Sequence, residues 1–167
     1  MNTLLDMVSG RDALVYGIGN AGREDDGLGW AFIDALESSG GCGDALLLRR
    51  YQLALEDADL LGRMGRVLFV DSTRATDVET YAVTRPLPDL DFTFTSHALS
   101  VPALLATTQV CAGRVPQVWV LAIRGYSWDL RIGLTHAAYG NLELALQAAR
   151  SPEGLLDPRA ILTGGAS

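Results

Sequence analysis

Three acidic residues follow a glycine-rich turn near the start of the chain, and carboxylates at such a position could bind a cation. The glycines fit the pattern G-x-G-x-x-G, which is typical of turns that bind dinucleotides: Gly17, Gly19 and Gly22. Glu24, Asp25 and Asp26 stand where a pyrophosphate would meet a helix N-terminus, and their charge would repel it. Three interpretations remain open: a carboxylate site for a cation, a nucleotide site, or acids that interact favourably with a helix start.

Two further candidate ligands stand beside predicted elements. Asp71 ends an apolar run predicted as a strand, and His97 opens a predicted helix after an irregular loop at 89–96. Sites in α/β folds form at the carboxyl edge of the sheet, so Asp26, Asp71 and His97 are expected to converge there. Two carboxylates and one imidazole suit a divalent first-row metal with vacant positions. The simpler alternatives are a helix charge partner for Asp26, a turn cap for Asp71 and a helix-start residue for His97, while His136 is expected at the surface.

Strands and helices are predicted to alternate along the chain. The predicted strands are 13–18, 45–48, 66–70, 79–84 and 117–123. The predicted helices are 27–38, 53–64, 99–111 and a last one capped by Thr135 and running to 149. Two prolines follow 79–84, which suits an edge strand. The pattern predicts an α/β fold, a three-layer α/β/α sandwich around a mainly parallel sheet of about five strands with one antiparallel strand.

Size and composition exclude several classes of protein. The chain has 167 residues, of which 49% are hydrophobic and 20% charged, as in an ordinary soluble domain. We expect one α/β domain over 1–150 and a C-terminal tail over 151–167. A net charge of −7 argues against nucleic acid or an anionic membrane as partner. The first ten residues lack the pattern of a signal peptide, no apolar run reaches the length of a membrane span, and Cys42 and Cys111 form no disulfide framework, so a cytoplasmic location is expected.

Four short blocks occur in order along the chain. They are Gly17-Ile-Gly-Asn20 with Asp25-Asp-Gly-Leu-Gly29, then Val67-Leu-Phe-Val-Asp71, then Ser96-His-Ala-Leu-Ser100, and last Ile132-Gly-Leu-Thr135. Together they resemble the ordered motifs of the hydrogenase maturation proteases, the endopeptidases that finish the large subunit of nickel–iron hydrogenases. The segment 51–56 resembles a Gln-Leu-x-x-Glu version of a family loop that is thought to contact substrate.

The resemblance implies a single protease-like domain that removes a C-terminal extension from the hydrogenase large-subunit precursor after nickel insertion. The metal-binding residues would be Asp26, Asp71 and His97, with Asp26 standing where some relatives have glutamate. Asp25 is the alternative candidate for a general base. The nickel would belong to the precursor and would not be permanently bound. The precursor is then the expected partner, and the protease is expected to be a monomer without membrane insertion.

Two other functions remain open from the sequence. One is an NADP-binding or other nucleotide-binding module that uses the Gly17, Gly19 and Gly22 turn, with Arg49 and Arg50 placed to read a 2′-phosphate. The other is a non-catalytic hydrogenase assembly partner, which would bind the precursor without shortening it.

Overall fold

A five-stranded sheet forms the centre of the computed structural model, which describes residues 2–90 and 99–152. The strands are β1 Ala13–Ile18, β2 Leu46–Arg50, β3 Arg66–Thr73, β4 Tyr81–Thr84 and β5 Gln117–Arg124. Their order is β2-β1-β3-β5-β4. All neighbouring strands are parallel except β4, which runs antiparallel to β5 at the edge of the sheet. The predicted mainly parallel sheet with one antiparallel edge strand is confirmed.

Helices cover both faces of this sheet. They are α1 Leu4–Met7, α2 Leu28–Ser38, α3 Asp57–Gly62, α4 Val101–Ala112 and α5 His136–Ala149, with a 3₁₀ helix at Glu24–Gly27. Because side chains alternate along a strand, β1 serves two cores. Val15 lies in the core formed with α1, α2 and α5, whereas Leu14 and Tyr16 lie in the core formed with α3 and α4. The three-layer arrangement is therefore confirmed.

Helix α3 is shorter than the predicted 53–64. Leu53 is buried, so its apolar character was read correctly, but it precedes the helix. The carboxylate of Asp57 accepts a hydrogen bond from the Ala54 amide at 2.9 Å and another from the Tyr16 hydroxyl at 2.7 Å. These bonds hold 53–56 in a non-helical path, because the chain must turn there to bring Asp57 to Tyr16.

Strand β3 is longer than the predicted 66–70. Its last two residues, Ser72 and Thr73, pair with Ile123 and Arg124 of β5. Asp71 therefore lies inside the strand near its carboxyl end, and the prediction that it terminates the strand is wrong. Polar side chains do not end a strand when the neighbouring strand continues to offer backbone partners.

Helix α1 was not predicted from the sequence, because four residues are too few to show a periodicity. Its local signal is a capping box. The Thr3 hydroxyl accepts from the Asp6 amide at 3.0 Å, and the Asp6 carboxylate accepts from the Thr3 amide at 3.1 Å. Cys42, predicted as a simple turn residue, is buried against this helix with its Sγ near the carbonyl oxygens of Leu5 and Val8.

The remaining predictions concern the last helix, the loop before α4, the C-terminal tail and membrane spans. The predicted cap of the last helix is confirmed, since the Thr135 hydroxyl accepts from the Ala138 amide at 3.3 Å. Residues 91–96 of the predicted loop 89–96 lie outside the described residues, as do residues 153–167 of the predicted tail 151–167. Within the parts that the structure describes, none of the helices has the length and apolar character needed to cross a bilayer.

Candidate functional site

Asp26 lies in the 3₁₀ helix that follows β1, and the preceding turn holds its backbone. The Asn20 amide donates to the Asp26 carbonyl oxygen at 3.1 Å, and the Asp26 amide donates to the Arg23 carbonyl oxygen at 3.1 Å. Gly19 adopts a φ of +140°, and a Cβ there would collide with the Asp26 carbonyl oxygen. The turn therefore needs glycine at this position to bring Asp26 back against the end of β1.

The side chain of Asp26 is partly exposed and lies among charged neighbours. Burial raises the pKa of its carboxyl, while the Asn20 amide and the charges of Arg23 and Arg74 act in the opposite direction. Arg74 is itself held by stacking, since its guanidinium carbon lies 4.1 Å from the centre of the Trp128 ring. Asp26 is thus a partly desolvated carboxylate with two arginines near enough to lower its pKa.

Asp71 lies at the same edge of the sheet, on the strand next to β1. Its Oδ1 accepts a hydrogen bond from the Ser72 amide at 2.8 Å. Burial raises the pKa of Asp71 to about 7, the Ser72 amide lowers it, and the negative charge of Asp26 raises it further. The last contribution shows that the two carboxylates are close enough to interact. Two partly exposed acids that resist ionisation together are suited to share a cation or a proton.

The third predicted ligand, His97, lies outside the described residues. The chain is described again from Leu99, and Ser100 caps α4 by accepting from the Ala103 amide at 3.2 Å. Since α4 connects back to the parallel strand β5, its first turn lies at the carboxyl edge of the sheet, where Asp26 and Asp71 are found. Within 2–90 and 99–152, no three histidine, cysteine, aspartate or glutamate side chains group closely enough to hold a metal.

Asp25, next to Asp26 in the chain, is buried and bonded to the loop after β5. Its side chain is 0% exposed and accepts four hydrogen bonds from the loop after β5. The donors are the Tyr126 amide at 2.7 Å, the Ser127 amide at 3.2 Å, the Thr135 amide at 2.7 Å and the Thr135 hydroxyl at 2.8 Å. A carboxylate enclosed in this way favours a structural role over the general-base role that the sequence left open.

Known proteins were compared with the chain at the level of families, sequences and structures. No family model and no curated protein sequence matches it. Among solved structures, it is similar to the [NiFe] hydrogenase maturation protease HycI from Thermococcus kodakarensis KOD1, with a TM-score of 0.68 and 21% identity over 92% of this chain and 99% of that one. It is also similar to the hydrogenase maturating endopeptidase HybD from E. coli, with a TM-score of 0.66 and 18% identity over 86% and 93% of the two chains.

The chain has the hydrogenase maturation protease fold. A third structure, a hydrogenase 3 maturation protease, supports this with a TM-score of 0.63 and 18% identity over 84% of this chain and 92% of that one. The resemblance that four short blocks predicted is thereby confirmed at the level of the fold. The nearly complete coverage of the three proteins shows that the likeness extends over their whole architecture.

The contacts of this fold do not favour the nucleotide-binding alternative. Two glycines of the candidate turn serve close backbone packing, since a Cβ at Gly17 would collide with the Gly29 carbonyl oxygen and a Cβ at Gly19 with the Asp26 carbonyl oxygen. Arg49, which was a candidate for reading a 2′-phosphate, instead binds the carboxylates of Asp34 and Glu37 on α2. The glycines thus permit close backbone packing, and the guanidinium is already paired.

Sequence reasoning missed two features of the site. The first is the bond between Asp25 and Thr135, which are 110 positions apart, so no local spacing reveals it. The second is the strained backbone of Glu24, a buried residue with a φ of +44°. Left-handed backbone is uncommon for residues other than glycine, and it persists where the surroundings impose it. His136, by contrast, lies exposed at the start of α5, where the sequence placed it.

Proposed function

We propose that this protein is an endopeptidase that removes the C-terminal extension of a nickel–iron hydrogenase large-subunit precursor after nickel has been inserted. The observation that carries the proposal is the pair of partly buried carboxylates, Asp26 and Asp71, at the carboxyl edge of a maturation-protease fold. Folding alone does not explain why acids occupy these two positions, since a partly buried apolar side chain would cost less free energy than a partly buried carboxylate.

The chemistry of the pair supports recognition of a metal that the substrate carries. Carboxylate oxygens and one imidazole, with positions left vacant, can join an ion already held by the precursor. Asp26 and Asp71 supply the carboxylates, and His97 is the proposed third ligand. Cleavage would then occur only when the precursor carries the ion. The ion can polarise the scissile carbonyl or lower the pKa of a bound water.

The surface around the site is suited to a protein substrate. Large apolar side chains are exposed on the loops that follow β2 and β5, which end at the same edge of the sheet as Asp71. Tyr51 and Leu55 are exposed after β2, and Leu130 and Ile132 after β5, the last two at 85% and 88%. Exposed apolar side chains rimmed by polar residues are typical of protein-binding surfaces.

The test is incubation of the protein with nickel-loaded and nickel-free precursor, read by intact mass. We expect only the loaded precursor to lose its extension, and Asp71→Ala to abolish the loss while circular dichroism stays unchanged. Binding of the precursor without any shortening would favour the assembly-partner alternative. Cleavage of both precursors at equal rates would refute the role of nickel as the recognition element.

A further inference from the structure

We propose that Asp25 is a positioning residue for the reaction: it fastens the 3₁₀ helix that carries Asp26 to the loop after β5. This inference rests on the proposed function and adds a residue that acts on the site without touching the substrate. Asp25 and its three partners, Tyr126, Ser127 and Thr135, are called the Asp25 network below.

The network joins two segments that are far apart in the chain. Around the four bonds to the Asp25 carboxylate, backbone bonds run in both directions. The Asp25 amide donates to the Ser127 carbonyl oxygen at 3.0 Å, the Glu24 amide to the Arg131 carbonyl oxygen at 2.8 Å, and the Arg131 amide to the Gly22 carbonyl oxygen at 3.1 Å. The segment 22–25 is therefore attached to the loop along its length, directly before Asp26.

The surroundings of the Asp25 carboxylate favour a positioning role over use as a base. All four bonds are donated to the carboxylate, three of them to Oδ2 and one to Oδ1, so the ionised form satisfies every partner. The side chain has no exposed surface through which a substrate proton could reach it. The Thr135 hydroxyl is also committed, since it donates to Asp25 and accepts from the Ala138 amide that it caps.

The strain at Glu24 is consistent with a clamped segment. A φ of +44° at a residue other than glycine costs free energy, and it is retained only when neighbouring contacts determine the path. The Glu24 and Asp25 amides, both bonded to the loop, supply those contacts. Asp26 is the next residue, so the Asp25 network also determines where the Asp26 carboxylate lies. Displacement of a reacting group by about 1 Å can lower a rate by about a hundredfold.

The variants that test the inference are Thr135→Val, Thr135→Ser and Asp25→Asn. Valine keeps the shape of threonine but removes the hydroxyl bond to Asp25, whereas serine keeps that bond. Thr3→Val is the matched control, because it removes the hydroxyl cap of α1, which accepts from the Asp6 amide at 3.0 Å, and Thr3 has no bond to Asp25. If Asp25→Asn does not fold, the two Thr135 variants still decide the question.

Three measurements are made on each variant well below its melting temperature: kcat and KM for cleavage of nickel-loaded precursor, hydrogen exchange of the Tyr126 and Ser127 amides, and affinity for cadmium as a probe of the carboxylates. We expect Thr135→Val to lower kcat and cadmium affinity roughly tenfold or more with little change in KM, and to speed exchange at both amides. Thr135→Ser and Thr3→Val should behave as the wild type.

Two results would overturn the inference. One is normal kcat and cadmium affinity in Thr135→Val; if Asp25→Asn is then inactive while its loop amides remain protected, Asp25 belongs to the chemistry itself. The other is unchanged exchange in Asp25→Asn. Failure of the proposed function is seen separately, because the wild type would then leave the precursor uncut while exchange and cadmium affinity still report on the network.

Discussion

Replacing Asp71 by asparagine should stabilise the metal-free protein at alkaline pH. The pKa of Asp71 is raised by burial from its ordinary value of 3.8 to about 7. Between these values the folded protein binds the proton more tightly than the unfolded chain does. The stabilising contribution is therefore fully present below pH 3.8 and is lost as the pH rises through about 7. Asparagine resembles the protonated acid at every pH, and its Oδ1 can still accept from the Ser72 amide.

The size of the effect follows from the same shift. At about 1.36 kcal/mol for each pH unit, ionisation of Asp71 would cost the folded state at most about 4 kcal/mol. We expect Asp71→Asn to exceed the wild type in free energy of unfolding by up to this amount at about pH 8.5, and by roughly half as much at about pH 5.5.

Urea unfolding followed by circular dichroism across this pH range measures the difference directly. The other titrating groups are shared by the two proteins, so the difference curve isolates position 71. Asp26→Asn provides a second arm, because it removes one charge that raises the Asp71 pKa and should move the midpoint of the curve to lower pH. A difference that is independent of pH, or a variant less stable than the wild type at about pH 8.5, would refute the reasoning.

Three further predictions concern the same edge of the sheet. Asp26→Glu should retain measurable cleavage of nickel-loaded precursor and Asp26→Asn should lose most of it; equal rates by intact mass would remove Asp26 from the site. Nickel or cadmium should stabilise the isolated protein by no more than about 3 kcal/mol, and the thermal shift should vanish in Asp71→Ala; a stoichiometric metal retained through purification would contradict this open site. Gly29→Ala should cost more than about 2 kcal/mol in urea unfolding, because a Cβ would strike backbone oxygens of β1 and β3, whereas Gly140→Ala in α5, with nothing within 4 Å, should be neutral or stabilising. Equal stability of the two alanine variants would show that the close approach at Gly29 is not required.

The sequence predicted the sheet well where a buried run is bounded by turn residues. Strand β1 was predicted with its observed bounds, Ala13–Ile18, because an apolar run ends at a Gly-Asn turn. Prediction from the sequence failed where a side chain far away in the chain determines where a helix begins. The start of α3 depends on the hydrogen bond from the Tyr16 hydroxyl to Asp57, 41 positions away. The spacing of apolar residues does not predict that bond.

The candidate site shows the same division. The types and order of Asp26 and Asp71 were enough to place both at one edge, because parallel strands deliver their carboxyl ends together. The roles of Asp25 and Asp26 could not be separated from the sequence, since both are acids in the same turn. Burial separates them: one carboxylate is enclosed by four donors from the loop after β5, and the other is partly exposed beside Asp71.

Three of the four sequence blocks that carry the resemblance are in contact with one another in the structure. Gly29 of the first block rests against the Val70 carbonyl oxygen of the second, one residue before Asp71. Asp25 of the first block binds Thr135 of the last. A change in any of these residues would move the segment that carries Asp26 relative to Asp71. These contacts therefore hold two carboxylates at one edge of the sheet, as the proposed site for an ion carried by the substrate requires.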